Sequence, residues 1–324
     1  MCMRRQIVAR SAPPRMQECP PVHSHYFAYR SVQHYNARMN PDSGQSLPPP
    51  RQPVSRQVRA AARYIDELAS KGRSSFTLAD LCATTGLSHK AARDQIARLD
   101  NKAVRVSPRK DFFVIVRPEQ RAMGAPPASW WLDAFFRQEG CPYYIGLLSA
   151  AAEFGSQHQA VQEVQVVTDR PMRELTIGRQ RLKFFVKRDT VQTPTTTPEN
   201  AFAPVAVSTP AATALDLLRY ADRIGGTGRA VEAISGMARH FDRDDVTRSV
   251  NAEPETATLQ RFGHLLLQLN KPSLAKYVAA ALPGRLERVW FDLSEKQVWT
   301  DRRDEWTIDP MFSVIESRSL RADA

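Results

Sequence analysis

The stretch TTGLSHKAARDQIARL, residues 84–99, gathers Ser88, His89, Lys90, Arg93 and Arg98 around a single acid, Asp94. Side chains of these types recognise nucleic acid. Arginine pairs with guanine O6 and N7, lysine takes phosphates, and the shorter polar groups make local hydrogen bonds. A second basic group, Arg105, Arg109 and Lys110, follows in VRVSPRKD. For the two groups to meet one duplex, the first must lie on one face of a helix and the second on a neighbouring loop or hairpin.

The surrounding pattern supplies those elements. Val58, Ala61, Ala62, Ile65 and Leu68 recur at helical spacing and predict a first helix that ends before Lys71 and Gly72. Thr77 with Asp80 three residues later resembles a capping box for a short second helix whose buried side is Leu78, Leu81 and Cys82. Gly86 stops that helix, Leu87 fills the space between the two, and Ser88 caps the next. In the third helix Ala92, Ile96 and Leu99 point inward, while Lys90, Arg93 and Ala97 share the outward face. VRV and FFVIV read as two strands with the basic tip SPRKD between them. Three helices and a hairpin make a winged helix-turn-helix, which places the third helix in the major groove and Arg109 and Lys110 along the flanking backbone or minor groove. Winged helices also serve as protein-interaction modules.

Charge favours DNA over that alternative. The formal net charge is +11, and residues 51–117 hold fourteen Lys/Arg against six Asp/Glu, whereas residues 118–324 hold 25 against 26. The basicity therefore belongs to the N-terminal third, as in a nucleic-acid-binding module joined to a neutral domain with other work. The candidate DNA-binding residues are Ser88, His89, Lys90, Arg93, Arg98, Arg105, Arg109 and Lys110.

With no apolar run of about 18 residues and no apolar stretch after the basic N-terminus MCMRRQIVAR, the sequence predicts a cytoplasmic protein without a membrane span or secretory signal. Cys2, Cys19, Cys82 and Cys141 are far apart, which predicts free thiols and no metal site. Residues 1–50 combine little periodicity with clusters such as PDSGQSLPPP and are expected to form a disordered basic tail. The irregular spacing of His23, His25 and His34 gives no ligand set. A winged helix-turn-helix over 51–118, a Pro/Gly linker over 119–128 and a mixed α/β domain over 129–324 complete the expected organisation, an α+β fold with a small sheet and several helices. Within that domain WWLDAFFRQ and YYIGLLSAAAEFG read as two helices joined at Gly140 to Pro142. EVQVVTD, LKFFVKRD and VAVS read as strands, and Thr209 caps a helix with Pro210 in its first turn. Asp216 and Arg219, three apart, are expected to pair with each other or to fix the interior. His158 is expected to be a surface or packing residue.

The ordered set GLSHKAARDQIARL, YYIGLLSAAAEFGSQHQ, VQVVTDRPMRELTIGRQRLKFFVKRD and VSTPAATALDLLRY followed by two glycines resembles the AbiEi family of antitoxins over roughly residues 55–270. The resemblance implies an antitoxin of an abortive-infection toxin-antitoxin operon. Its winged helix would bind inverted repeats at its own promoter, and its C-terminal domain would oppose a nucleotidyltransferase-like toxin; direct contact with that toxin stays open. It implies no cofactor. The alternative of an enzyme would rest on Asp169, Glu174 and Lys183, whose carboxylate-and-lysine pattern resembles a metal-dependent nuclease. The turn context TDRP and the basic neighbours of each carboxylate argue against it. The sequence is thus read as a non-catalytic antitoxin and autorepressor, the alternative being a metabolite-responsive winged-helix regulator.

Overall fold

A computed structural model describes residues 59–156, 163–292, 294–295 and 306–317 of the 324-residue chain. The tail over 1–50 with its histidines, and His158, lie outside the described residues.

Helix α1 (Ala60–Ser70) buries Ala61 and Ile65, as its apolar spacing predicts. After strand β1 (Ser75–Thr77), α2 (Leu78–Thr85) begins where the Thr77 hydroxyl accepts from the Asp80 amide at 3.0 Å. It ends at Gly86, whose φ of 70° is the left-handed turn that glycine adopts without strain. The Ser88 hydroxyl accepts from the Ala91 amide at 3.3 Å and starts α3 (His89–Ala97), which buries Ala92 and Ile96. Strands β2 (Ala103–Ser107) and β3 (Lys110–Ile115) follow as a hairpin, and the antiparallel order is β1-β3-β2. β1 was not anticipated: its three residues are too few to show a period, and pairing with β3 defines it.

The apolar run FFVIV is continuous because β3 is buried on both faces. Phe113 and Ile115 pack on the three helices, while Phe112 and Val114 join Trp131, Leu132 and Phe135 in a second core. Those last residues introduce α4 (Leu132–Glu139). The intervening segment 119–128, expected as a linker, is pinned. The Arg179 amide donates to the Met123 carbonyl at 2.8 Å, and the Gln180 side chain donates to the Pro126 carbonyl at 2.8 Å while accepting from the Ala128 amide at 3.0 Å. Gly178, with φ of 58°, is required there because a Cβ would strike the Met123 carbonyl.

The expected helix YYIGLLSAAAEFG divides into strand β4 (Tyr143–Ile145) and helix α5 (Leu147–Glu153). Tyr144 and Ile145 satisfy their backbone groups between two neighbouring strands, a partnership that local periodicity cannot reveal. Strands β5 (Glu163–Thr168), β6 (Leu175–Ile177), β7 (Gln180–Val186), β8 (Thr195–Thr196) and β9 (Val207–Ser208) complete a mixed sheet of order β6-β7-β5-β4-β9-β8.

Helices α6 (Pro210–Arg219), α7 (Ala221–Ile224), α8 (Thr227–Met237), α9 (Arg243–Asn251), α10 (Thr256–Gln268) and α11 (Pro272–Ala281) follow. Leu215, Leu218, Met237, Phe262 and Leu265 are among the residues that close their common core against Phe185. The Thr209 side chain makes no cap hydrogen bond. Asp245 of α9 takes that role by accepting from the Ala211 amide at 2.8 Å, so the start of α6 is satisfied by a tertiary contact. β10 (Val289–Trp290), β11 (Trp306–Asp309) and β12 (Val314–Ser317) form a third sheet, order β10-β12-β11. Among the described residues the fold is mixed, with helices and three small sheets, consistent with α+β.

Candidate functional site

The basic residues singled out in the sequence divide into two groups once their partners are seen. His89, Lys90, Arg98 and Arg109 are exposed and form no ion pair among the described residues. His89 and Lys90 occupy the N-terminal end of α3, Arg98 follows its C-terminus, and Arg109 lies in the two-residue turn between β2 and β3. Ser88 is occupied as the helix cap.

The other three cations are held by acids. Arg93 on α3 places one guanidinium nitrogen 2.8 and 3.1 Å from the two carboxylate oxygens of Asp111. Arg105 on β2 donates to the same carboxylate at 2.6 Å, and its Nε donates to the Lys110 carbonyl at 2.8 Å. One aspartate thus ties the third helix to the hairpin. Lys110 turns away from both and pairs with Glu139 at the end of α4. Neither acid was anticipated: Asp111 was read as part of the basic hairpin tip, and Glu139 belongs to a distant helix.

In the mixed domain the structure brings together groups that the sequence kept apart. Lys187, just after β7, lies 3.0 Å from Asp216 on α6 and 3.2 Å from Glu253 after α9. Asp216 also accepts from the Tyr144 hydroxyl at 2.7 Å. Arg219 pairs with Glu253 and reaches Glu255 at 3.5 Å. Asp216 and Arg219 therefore do not pair with each other. They belong to one chain of contacts, with Lys187 and Glu253 as its middle links.

The side chains of Lys187, Asp216 and Glu253 are almost fully buried, so each charge needs its neighbour. Burial lowers the Lys187 ammonium, but the adjoining carboxylates of Asp216 and Glu253 outweigh it and hold its pKa above the ordinary value. The Tyr144 phenol is pushed well up, first by burial and then by the Asp216 carboxylate, and stays a donor. Network and sheet together fasten β4, β7, α6 and the end of α9.

The carboxylates weighed for a nuclease go to separate partners. Asp169 accepts from the Cys141 thiol at 3.0 Å, Glu174 pairs with Arg181 at 3.3 Å, and Lys183 lies 3.9 Å from Glu163.

The family model of the AbiEi antitoxin C-terminal domain matches residues 144–268, from Tyr144 of the buried network to the end of α10. Over that span the chain is similar to the AbiEi antitoxin domain. The match takes in Lys187, Asp216, Arg219 and Glu253, so the ion-pair network lies inside the matched span. A search of the curated proteins matches none of them. Among solved structures, the RV2827C protein from Mycobacterium tuberculosis is similar in fold, with a TM-score of 0.56 at 16% identity over 81% of this chain and 94% of that one. No helix of the described residues is long and apolar enough to cross a membrane.

Beside the last turns of the AbiEi match lies a cavity of about 1270 Å³, walled by α8, α10, Phe291 and β11. His264 of α10 lies in its wall between two acids, Nδ1 at 2.7 Å from Asp309 and Nε2 at 3.1 Å from Glu316. A neutral imidazole has one N–H, whereas two carboxylates on opposite sides call for two. Burial lowers the histidine's pKa, and the hydrogen bonds to Glu316 and Asp309 more than reverse that, so it stands above its ordinary 6.5.

Proposed function

We propose that the chain is a toxin-antitoxin antitoxin that also represses its own operon. On this reading residues 51–118 are a winged helix-turn-helix that binds inverted repeats in double-stranded DNA at the promoter. Residues 129–324, which contain the AbiEi domain, counteract a nucleotidyltransferase-like toxin, and no catalytic step is assigned to them. One observation carries the reading: an AbiEi domain is joined to a helix-and-hairpin module that leaves His89, Lys90, Arg98 and Arg109 exposed and without an acid partner among the described residues. Cations so placed exchange water and counterions for phosphate.

Two measurements test it with the full-length protein. A mobility-shift titration on the DNA upstream of its reading frame should show binding that weakens steeply with salt. Co-expression with the toxin encoded beside it should restore growth. Absence of DNA affinity would remove the repressor half of the reading, and absence of rescue the antitoxin half.

The cavity beside His264 favours one second reading, a metabolite-responsive regulator. A small molecule that binds the protein and shifts its operator affinity, in a chain that gives no protection against a toxin, would favour that reading.

A further inference from the structure

We infer that Asp111 is a specificity-determining residue of the DNA interface, an internal anion that restrains Arg93 and Arg105 until a correct site is met. The inference rests on the DNA-binding reading above and adds to it a residue of the opposite charge.

The geometry has three parts. Asp111 is the first carboxylate after the hairpin turn, beside Arg109 and Lys110, where a phosphate-binding tip would gain nothing from an acid. Its carboxylate receives guanidinium groups from two separate elements, Arg93 from α3 at 2.8 Å and Arg105 from β2 at 2.6 Å. The contacts are made at the surface: the Arg93 and Asp111 side chains are 47% and 40% exposed. Such pairs are weak and screened by salt, so they open readily when a better partner arrives.

Consider Arg93 in this arrangement. It spends one terminal nitrogen on Asp111, and its other terminal nitrogen and Nε make no hydrogen bond among the described residues. A guanidinium held by one corner keeps a direction, and its free edge retains donors for the acceptor pair that guanine presents as O6 and N7. A phosphate of arbitrary sequence offers charge at no fixed place relative to α3. To recruit Arg93 and Arg105 it must draw both away from the acid. Asp111 therefore opposes indiscriminate phosphate binding by two of the module's cations while orienting one of them for base reading. Without it, Arg93 is free to follow any phosphate backbone, and Arg105 keeps only its bond to the Lys110 carbonyl.

The test compares wild type, Asp111→Asn and Asp111→Glu, all full length. The duplexes are one selected by the wild-type protein from a random pool and a scrambled duplex of equal length and composition. Asp111→Asn is expected to bind the scrambled duplex about tenfold more tightly and to steepen its salt dependence by about one unit of log K against log salt, as a further phosphate contact forms. Affinity for the selected duplex should stay level or fall, so the ratio of the two drops at least tenfold. Asp111→Glu keeps the anion and should recover most of the ratio.

Circular dichroism and the thermal midpoint establish that the variants are folded. If Asp111→Asn misfolds, the Asp111→Glu and Arg105→Ala ratios decide instead: Arg105→Ala should lower scrambled-duplex affinity less than an exposed, unpaired Arg109→Ala does. An unchanged selected-to-scrambled ratio in Asp111→Asn overturns the inference while leaving the DNA-binding reading intact. A wild-type protein with no affinity for either duplex overturns that reading and the inference together.

Discussion

The Lys187 ammonium lies 3.0 Å from the Asp216 carboxylate, with 3% and 0% of the two side chains exposed, and Glu253 closes on the same ammonium at 3.2 Å. A cation with two acid neighbours, removed from water, ties the end of β7 to α6 and to the end of α9.

Removing one member of that network leaves the others charged in an interior that cannot solvate them. Asp216→Ala is expected to destabilise the protein by about 3–5 kcal/mol. It also strips the Tyr144 hydroxyl of its acceptor. Urea titration followed by circular dichroism measures the loss; a change within about 0.5 kcal/mol would show that the pair is immaterial to stability.

Protonation of His264 predicts a pH dependence of definite sign. Its pKa is raised in the folded state by Glu316 and Asp309, so the folded chain holds the proton more tightly than the unfolded one. That stabilisation is fully present below about pH 6.5, the unfolded value, and is lost as pH rises through the folded value. Thermal midpoints of the wild type should fall over this upward range more than those of His264→Gln. Parallel curves for the two proteins would remove His264 as the cause.

The β2–β3 hairpin and α4 share one core, so they should not melt apart. Phe112, 2% exposed, packs edge-on against Phe135 with ring centroids 5.5 Å apart. Phe112→Ala is expected to cost about 3–5 kcal/mol. It should lower a single transition that involves both the hairpin module and the AbiEi domain. A fragment starting at residue 118 should likewise melt below the full chain, because Trp131 and Phe135 lose their cover. Two calorimetric transitions, with only the first moved by Phe112→Ala, would refute the shared core.

Arg109 and Lys110 are neighbours in sequence with different surroundings, and the difference predicts unequal effects. Arg109 is exposed and has no acid partner among the described residues, whereas Lys110 pairs with Glu139. On the DNA-binding reading proposed above, Arg109→Ala should weaken binding to all duplexes alike and lower the salt slope by about 0.9. Lys110→Ala should lower it less, since the Glu139 pair already competes for that cation. Equal slopes for the two variants would contradict this assignment.

How much of the protein was legible in its sequence follows from the range of the forces involved. Thr77, Gly86 and Ser88 act within one helical turn, so the start and stop of α2 and the start of α3 could be read directly, as could the inward set Ala92 and Ile96; Leu99, read as part of α3, lies past its end at Ala97. The concentration of charge in residues 51–117 is likewise a property of the chain alone. The resemblance carried by VSTPAATALDLLRY agrees with the AbiEi match. Strand β4 was missed because Tyr143, Tyr144 and Ile145 suit a helix as well as a strand until β5 and β9 supply hydrogen-bond partners. Thr209 holds the N-cap position of α6 with Pro210 in its first turn, as read, but its hydroxyl makes no cap hydrogen bond, because Asp245, remote in sequence, accepts from the Ala211 amide instead. Which cations remain free could be decided only in three dimensions. Lysine and arginine are alike in a charge count, but folding sets Asp111 against Arg93 and Arg105, Glu139 against Lys110, and Asp216 with Glu253 around Lys187. A local pattern specifies what satisfies a residue within a few positions; an ion pair at 3 Å between distant segments exists only once packing has brought them together.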